Sequence, residues 1–292
     1  MPELAAHYGV HALVRKAAAA HVAERLGATP IVGDLDQPET LAPLAGIADC
    51  VLHLAPPDAS GDRDSRTRNL ISTLSARPMV AHANRGGRRL QRLVYVSTSG
   101  VYGDCGGEHV EETRPVNPQS DRARRRVDAE RTLLEWGARE RVSITVLRAP
   151  GIYAADRLPI ERLERGTPAL REEDDVYTNH IHAEDLAAAC VAALERGGDG
   201  RIYNVSDDSE IKMGDYFDLV ADRAGLPRPT RIARADASGR IPSMMLSFMS
   251  ESRRLDNRRM KAELGVILRY PTVRDGVPPR IDRAASSAPA RR

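Results

Sequence analysis

Residues 93–104 read Leu-Val-Tyr-Val-Ser-Thr-Ser-Gly-Val-Tyr-Gly-Asp. Leu93 to Val96 is a short, uninterrupted apolar run, the pattern of a strand buried on both faces. It stops abruptly in the hydroxyl residues Ser97, Thr98 and Ser99, followed by Gly100. A buried strand with that ending delivers hydrogen-bonding groups to the carboxyl edge of a sheet. In open α/β sheets that edge is where ligands bind. The stretch therefore predicts a fold and a site together.

Working outward, further strand-like runs occur at Val10–Val14, Thr29–Val32, Cys50–Leu54, Val142–Leu147 and Ile202–Val205. Helical stretches lie between them at Ala17–Leu26, Pro38–Ala45, Asp64–Leu74, Asp121–Arg139 and Ala183–Arg196. Such alternation predicts an α/β protein with a Rossmann-like, doubly wound, mostly parallel sheet covered on both faces, and right-handed crossovers. Past Pro150 the alternation weakens. Residues 1–150 are read as the sheet domain and 151–280 as a smaller C-terminal substrate lobe, with 183–205 returning to the core. Residues 78–91 read as a surface loop. Residues 281–292 are small, polar and proline-containing, the composition of a disordered tail.

Composition narrows the function. The 292 residues carry a formal net charge of +2, which makes no electrostatic case for nucleic acid or an anionic membrane. Lysine occurs only at Lys16, Lys212 and Lys261, and the arginines are spread out except at Arg122–Arg126 and in the tail. Cys50, Cys105 and Cys190 are far apart, which argues against a disulfide framework or a zinc site and fits a reducing cytoplasm. Glu3, His7 and His11 argue against a signal peptide. No apolar run approaches membrane-spanning length.

In order and spacing, these pieces resemble an extended short-chain dehydrogenase/reductase of the NAD-dependent epimerase/dehydratase type. Gly33-Asp34-Leu35 resembles the family's third-strand aspartate, which contacts adenine, and Leu54-Ala55-Pro56 the backbone lining the dinucleotide. Ser97-Thr98-Ser99-Gly100-Val101-Tyr102-Gly103 resembles the family's Ser-Ser-x-x-Val-Tyr-Gly signature, with Thr98 at the catalytic serine/threonine position. Leu147 to Tyr153, with Ala149 and Gly151, resembles the segment bordering the nicotinamide. Ile181 to Ala187, Tyr203 to Ser206 and Tyr270-Pro271 also match. The resemblance implies an NAD(P)-dependent oxidoreductase or epimerase/dehydratase acting on a small carbonyl, alcohol or nucleotide sugar, and admits a homodimer. Ser97 joins the implied cofactor contacts.

Two features depart from that family. Its first strand and Gly-x-x-Gly-x-x-Gly turn, which lets backbone approach a pyrophosphate at a helix N-terminus, have no counterpart before Val10, so the first strand is expected to be absent. Gly100, Gly103 and Gly106 fit the spacing, but no apolar helical period follows them. The second departure is chemical. The family's helical Tyr and Lys, four residues apart, align with Arg122 and Arg126. Arg126 retains the capacity to bind a ribose or phosphate oxygen. Arg122 cannot replace a tyrosine acid, because a guanidinium has a pKa above ~12 and general acid–base work needs one near the working pH. A non-catalytic dinucleotide-binding protein and a shortened, inactive product are the alternatives.

Individual residues divide between chemistry and structure. Thr98 is read as lining the site, against a hydroxyl that merely satisfies a strand-end carbonyl. Tyr102 is either a substitute proton donor or a packed tyrosine with its hydroxyl bonded. Arg15 and Lys16 follow the second strand of the family pattern, where an arginine accommodates a 2′-phosphate, so NADP is favoured over NAD. Asp34 is an adenine contact or a turn-capping aspartate. His180 and His182 share one face if extended. No third ligand is nearby, so no metal site is expected.

Overall fold

The computed structural model describes residues 2–76 and 89–281. Most of the expected 78–91 loop and all but one residue of the expected tail lie outside them. Ile281, the tail's first residue, is instead buried, and its amide donates to the Arg223 carbonyl.

The alternation is present: β1 (Val10–Val14), α1 (Ala17–Arg25), β2 (Ala28–Val32), β3 (Cys50–His53), α2 (Ser65–Ser75), β4 (Arg92–Thr98), α3 (Asp121–Glu140), β5 (Ser143–Ala149), α4 (Ala183–Arg196) and β6 (Arg201–Asn204). Local chemistry sets several boundaries. The Asp64 side chain accepts from the Thr67 amide to cap α2, and Ser120 accepts from the Ala123 amide to cap α3. Residues Pro38–Leu44 form a 3-10 helix instead of the expected α-helix; Pro43 inside it has no N–H for an α ladder.

β1 pairs in parallel with β2, from Val10↔Ala28 to Val14↔Val32. A second sheet has the order β6-β5-β4-β3, with β3 and β4 parallel from Cys50↔Arg92 to His53↔Tyr95. Among the described residues no strand joins the two sheets. Val32, at the end of β2, is 58% exposed, and Leu54, just past β3, is 57% exposed.

The chain divides into two compact units. The first comprises residues up to Ser97, then Ser120–Leu147 and Cys190–Ile202. Its main core joins Leu93 and Tyr95 of β4 to Leu133 and Trp136 of α3 and Ile144 and Val146 of β5. A smaller cluster packs Leu35, Leu41 and Leu70 together. The second unit comprises Thr98–Gln119, Arg148–Ala189 and Tyr203 onward, so residues 98–119 belong to it and not to the sheet domain expected over 1–150. Within it Gly151–Tyr153 pairs in parallel with His180–His182, and α5 (Met213–Ala224) buries Phe217 and Val220 in one apolar cluster with Tyr153 and Leu170.

Candidate functional site

β4 runs through Thr98, so Ser97 and Thr98 are its last two residues. Ser97 and Ser99 are buried at 4% exposure each, while Thr98 between them is half-buried. Of the three hydroxyls, only that of Thr98 is open to a ligand. Its Oγ1 accepts from the Gly100 amide at 3.3 Å, capping the 3-10 turn Ser99–Tyr102. The hydroxyl proton is left to donate outward.

Tyr102 has a different role from the proton donor weighed for it. It is 1% exposed, and its hydroxyl donates to Asn204 Oδ1 at 2.8 Å. Arg148 covers the ring, its guanidinium carbon 4.7 Å from the centroid. Asn204 is held in turn, donating from Nδ2 to the Val110 and Asp256 carbonyls and from its amide to Glu112 Oε1. Gly103 follows at φ +68°, where an added Cβ would stand 2.2 Å from the Asn117 carbonyl oxygen, so no other residue fits. No helix follows Gly100, Gly103 and Gly106; the Cys105 and Gly107 amides both donate to the Ser252 carbonyl.

In the first unit, α3 presents its polar positions to the end of β4. Ser97 Oγ donates to Glu130 Oε1. Arg126, 8% exposed, donates from Nη1 to Tyr95 Oη and to the Val96 carbonyl, each at 2.9 Å. Arg125 donates to the Gly61 and Ala59 carbonyls. Arg122 is exposed; desolvation, then the Arg126 and Arg125 guanidiniums, push its pKa below the usual value. It still has no proton to give near neutrality.

Behind this end lies a polar relay that the sequence reading missed. His53 Nε2 sits 3.0 Å from Thr67 Oγ1, which donates to Asp64 Oδ2 at 2.6 Å. The Thr67 proton is thereby spent on Asp64, which makes His53 Nε2–H the donor to Thr67. The Asp64 amide donates to Asp128 Oδ2, and Arg68 grips both Asp128 oxygens at 2.6 and 2.9 Å. Burial, and secondarily the Arg126 charge, lower the His53 pKa to about 3, so the ring is neutral. One sequence signal was available: a histidine inside the apolar run Cys50–Leu54, ahead of Asp64-x-x-Thr67.

The residues expected at a dinucleotide divide in the same way. Arg15 is exposed directly after β1. Asp34 Oδ1 accepts from the Asp36 amide at 3.0 Å, the turn-capping arrangement. Leu35 does not face a ligand: its side chain is buried with Leu41 and Leu70, and its carbonyl accepts from Asn69 Nδ2. Leu54 and Pro56 are exposed and Ala55 half-buried; the Pro56 carbonyl accepts from Arg66, which also pairs with Asp36. The exposed apolar side chains of Val32 and Leu54 are of the kind an adenosine packs on. The pyrophosphate end does not fit: among the described residues no glycine turn joins a strand to a helix N-terminus there.

In the second unit the Ala149 side chain is buried, and Gly151 is exposed with an added Cβ placed 3.3 Å from the Asn179 carbonyl oxygen. His180 and His182 share a face, both packing edge-on to Tyr153 at 6.1 and 5.2 Å between centroids. His182 Nδ1 accepts from the Glu184 amide, and Asp185 accepts from the Arg269 and Tyr270 amides, so these residues order the start of α4. Among the described residues no three His, Cys, Asp or Glu side chains form a group able to hold a metal. Asp207 carries no sequence signal. It is 3% exposed, its Oδ2 has no partner, and burial pushes its pKa up to about 7.

Parallel strands and alternating helices define a Rossmann-like α/β protein, the class of fold in which ligands bind at the carboxyl edge of the sheet. The sequence profile of the NAD dependent epimerase/dehydratase family matches residues 3–206, and the chain belongs to that family. It is 30% identical over 247 residues to the GDP-6-deoxy-D-mannose reductase of Pseudomonas aeruginosa, covering 75% of this chain and 79% of that one. A conserved protein of unknown function from Silicibacter pomeroyi superimposes with a TM-score of 0.74 at 29% identity, over 94% of this chain and 90% of that one. The RMD structure from Pseudomonas aeruginosa complexed with NADPH shares the fold, with a TM-score of 0.64 at 21% identity over 89% and 88%. Among the described residues no helix is long and apolar enough to cross a membrane.

Proposed function

We propose that the chain is an NAD(P)-dependent oxidoreductase or epimerase/dehydratase acting on a small carbonyl or alcohol, with a nucleotide sugar as the favoured substrate class. The observation that carries this reading is the open hydroxyl of Thr98 at the family's serine/threonine position. With Oγ1 already accepting from Gly100, the Thr98 O–H donates to the substrate oxygen and fixes its orientation. The nicotinamide, when bound, supplies the hydride chemistry. Arg15, Asp34, Leu54, Ala55 and Pro56 hold the adenosine end. Ser97 acts one step back, bonded to Glu130. Proton transfer falls to a group other than Arg122 or Tyr102.

NADP is the favoured cofactor, because Arg15 and Lys16 place positive charge where a 2′-phosphate lies in this fold. The NADPH in the Pseudomonas structure agrees with that choice, and the name of the reductase supports a nucleotide-sugar substrate. A cytoplasmic location fits the dispersed free cysteines. The test is turnover of NADPH against a panel of aldehydes, ketones and 4-keto nucleotide sugars. Consumption with at least one member, abolished in Thr98→Ala, supports the reading. Cofactor binding with no turnover across the panel would favour a dinucleotide-binding protein without catalysis.

A further inference from the structure

The α3 position that aligns with the family's lysine is turned inward here. Arg126 donates from one nitrogen to two neutral acceptors, Tyr95 Oη and the Val96 carbonyl. The β3–β4 register ends at His53↔Tyr95. Val96, the next residue, is 8% exposed, and Arg126 supplies a donor to its carbonyl. One helical turn further on, Glu130 accepts from Ser97. Positions 126 and 130 share a helix face, and between them they hold Tyr95, Val96 and Ser97, the three residues that precede Thr98.

The guanidinium is suited to that task. It is planar, permanently charged and donates in fixed directions, whereas an ammonium on a flexible stem does not set an angle. The Tyr95 ring lies beneath it, 5.5 Å from the guanidinium carbon to the centroid. Tyr95 is fully buried and also packs on the His53 ring, 5.1 Å between centroids. The His53–Thr67–Asp64 relay therefore supports Tyr95, and Tyr95 supports Arg126.

We infer that Arg126 is a positioning residue that fixes the carboxyl end of β4, and that it does not hold the cofactor. This assignment rests on the proposed function only for what Thr98 does once it is placed. A double-mutant cycle tests it: Arg126→Met, Tyr95→Phe and the pair, by urea unfolding, with NADPH titrated into each folded variant. Arg126→Met is expected to raise the unfolding equilibrium constant roughly tenfold. The pair should be less costly than the sum of the singles. Hydrogen exchange in residues 95–99 should quicken while NADPH affinity stays within about threefold of wild type.

Arg126→Lys replaces the methionine variant if the latter does not fold, and should recover part of the stability with the same NADPH affinity. Additive singles overturn the inference. So does an affinity loss of tenfold or more with unfolding unchanged. If the unmutated chain binds no dinucleotide, the proposed function fails, while the unfolding cycle and the exchange at 95–99 still decide what Arg126 does.

Discussion

Ser97 Oγ donates to Glu130 Oε1, joining the last buried residue of β4 to the middle of α3. Both side chains are buried, at 4% exposure each. Removing the donor leaves a desolvated carboxylate oxygen short of a hydrogen bond. Ser97→Ala is expected to destabilise the protein by about 1–3 kcal/mol in urea unfolding. Glu130→Gln keeps an acceptor oxygen facing Ser97 and should cost less.

Thr98 follows directly and differs in being half open. Thr98→Ala is expected to reduce kcat/KM by about 10²-fold, the scale of losing one donor to a reacting oxygen. Thr98→Ser should retain most of the activity and the unfolding midpoint, whereas Thr98→Ala also loses the cap on the Gly100 amide and should be somewhat less stable. Equal activity in all three proteins would show that this hydroxyl does not meet the substrate.

Tyr102 gives the opposite expectation. Its hydroxyl is occupied by Asn204 inside a closed network. Tyr102→Phe should leave turnover within a few-fold of wild type and cost about 1 kcal/mol of stability. A large loss of kcat with stability intact would restore the proton-donor role.

Asp207 sets a pH dependence. Its pKa is raised from 3.8 to about 7, so between those values the folded state binds the proton that the unfolded state releases. Its contribution is full below pH 3.8 and is lost as pH rises through about 7. His53 and His180 act in the other direction. Burial lowers both to about 3 from 6.5, so their share of stability is present above 6.5 and lost as pH falls towards 3. The difference between wild type and Asp207→Asn isolates the aspartate. Wild-type stability should fall relative to the variant from pH 5 to pH 8. A flat difference would show that Asp207 is ionised throughout.

The parts of this molecule that were legible in the sequence are those written in local pattern. The apolar run at Leu93–Val96 marked β4, and the helical stretch Asp121–Arg139 marked α3 to within one residue, because burial and helical period act on neighbours in the chain. His53, Thr67 and Asp64 were not legible as a relay, since a polar residue in an apolar run does not name its partner on another element. Tyr95 looked like one more apolar residue until the fold brought Arg126 to its hydroxyl. Leu35 was aligned with a cofactor contact, but side-chain direction after a strand depends on packing with Leu41 and Leu70. Arg126 shows the same limit: its alignment gave the position, and only the fold shows that it turns inward to Tyr95 Oη and the Val96 carbonyl.

The measurement that bears most directly on the account is a fluorescence titration of the full chain with NADPH and, separately, NADH. A saturable change in nicotinamide emission, tighter for NADPH and weakened by Arg15→Ala, is the predicted result. Emission that rises no faster than NADPH or NADH alone in buffer would contradict it.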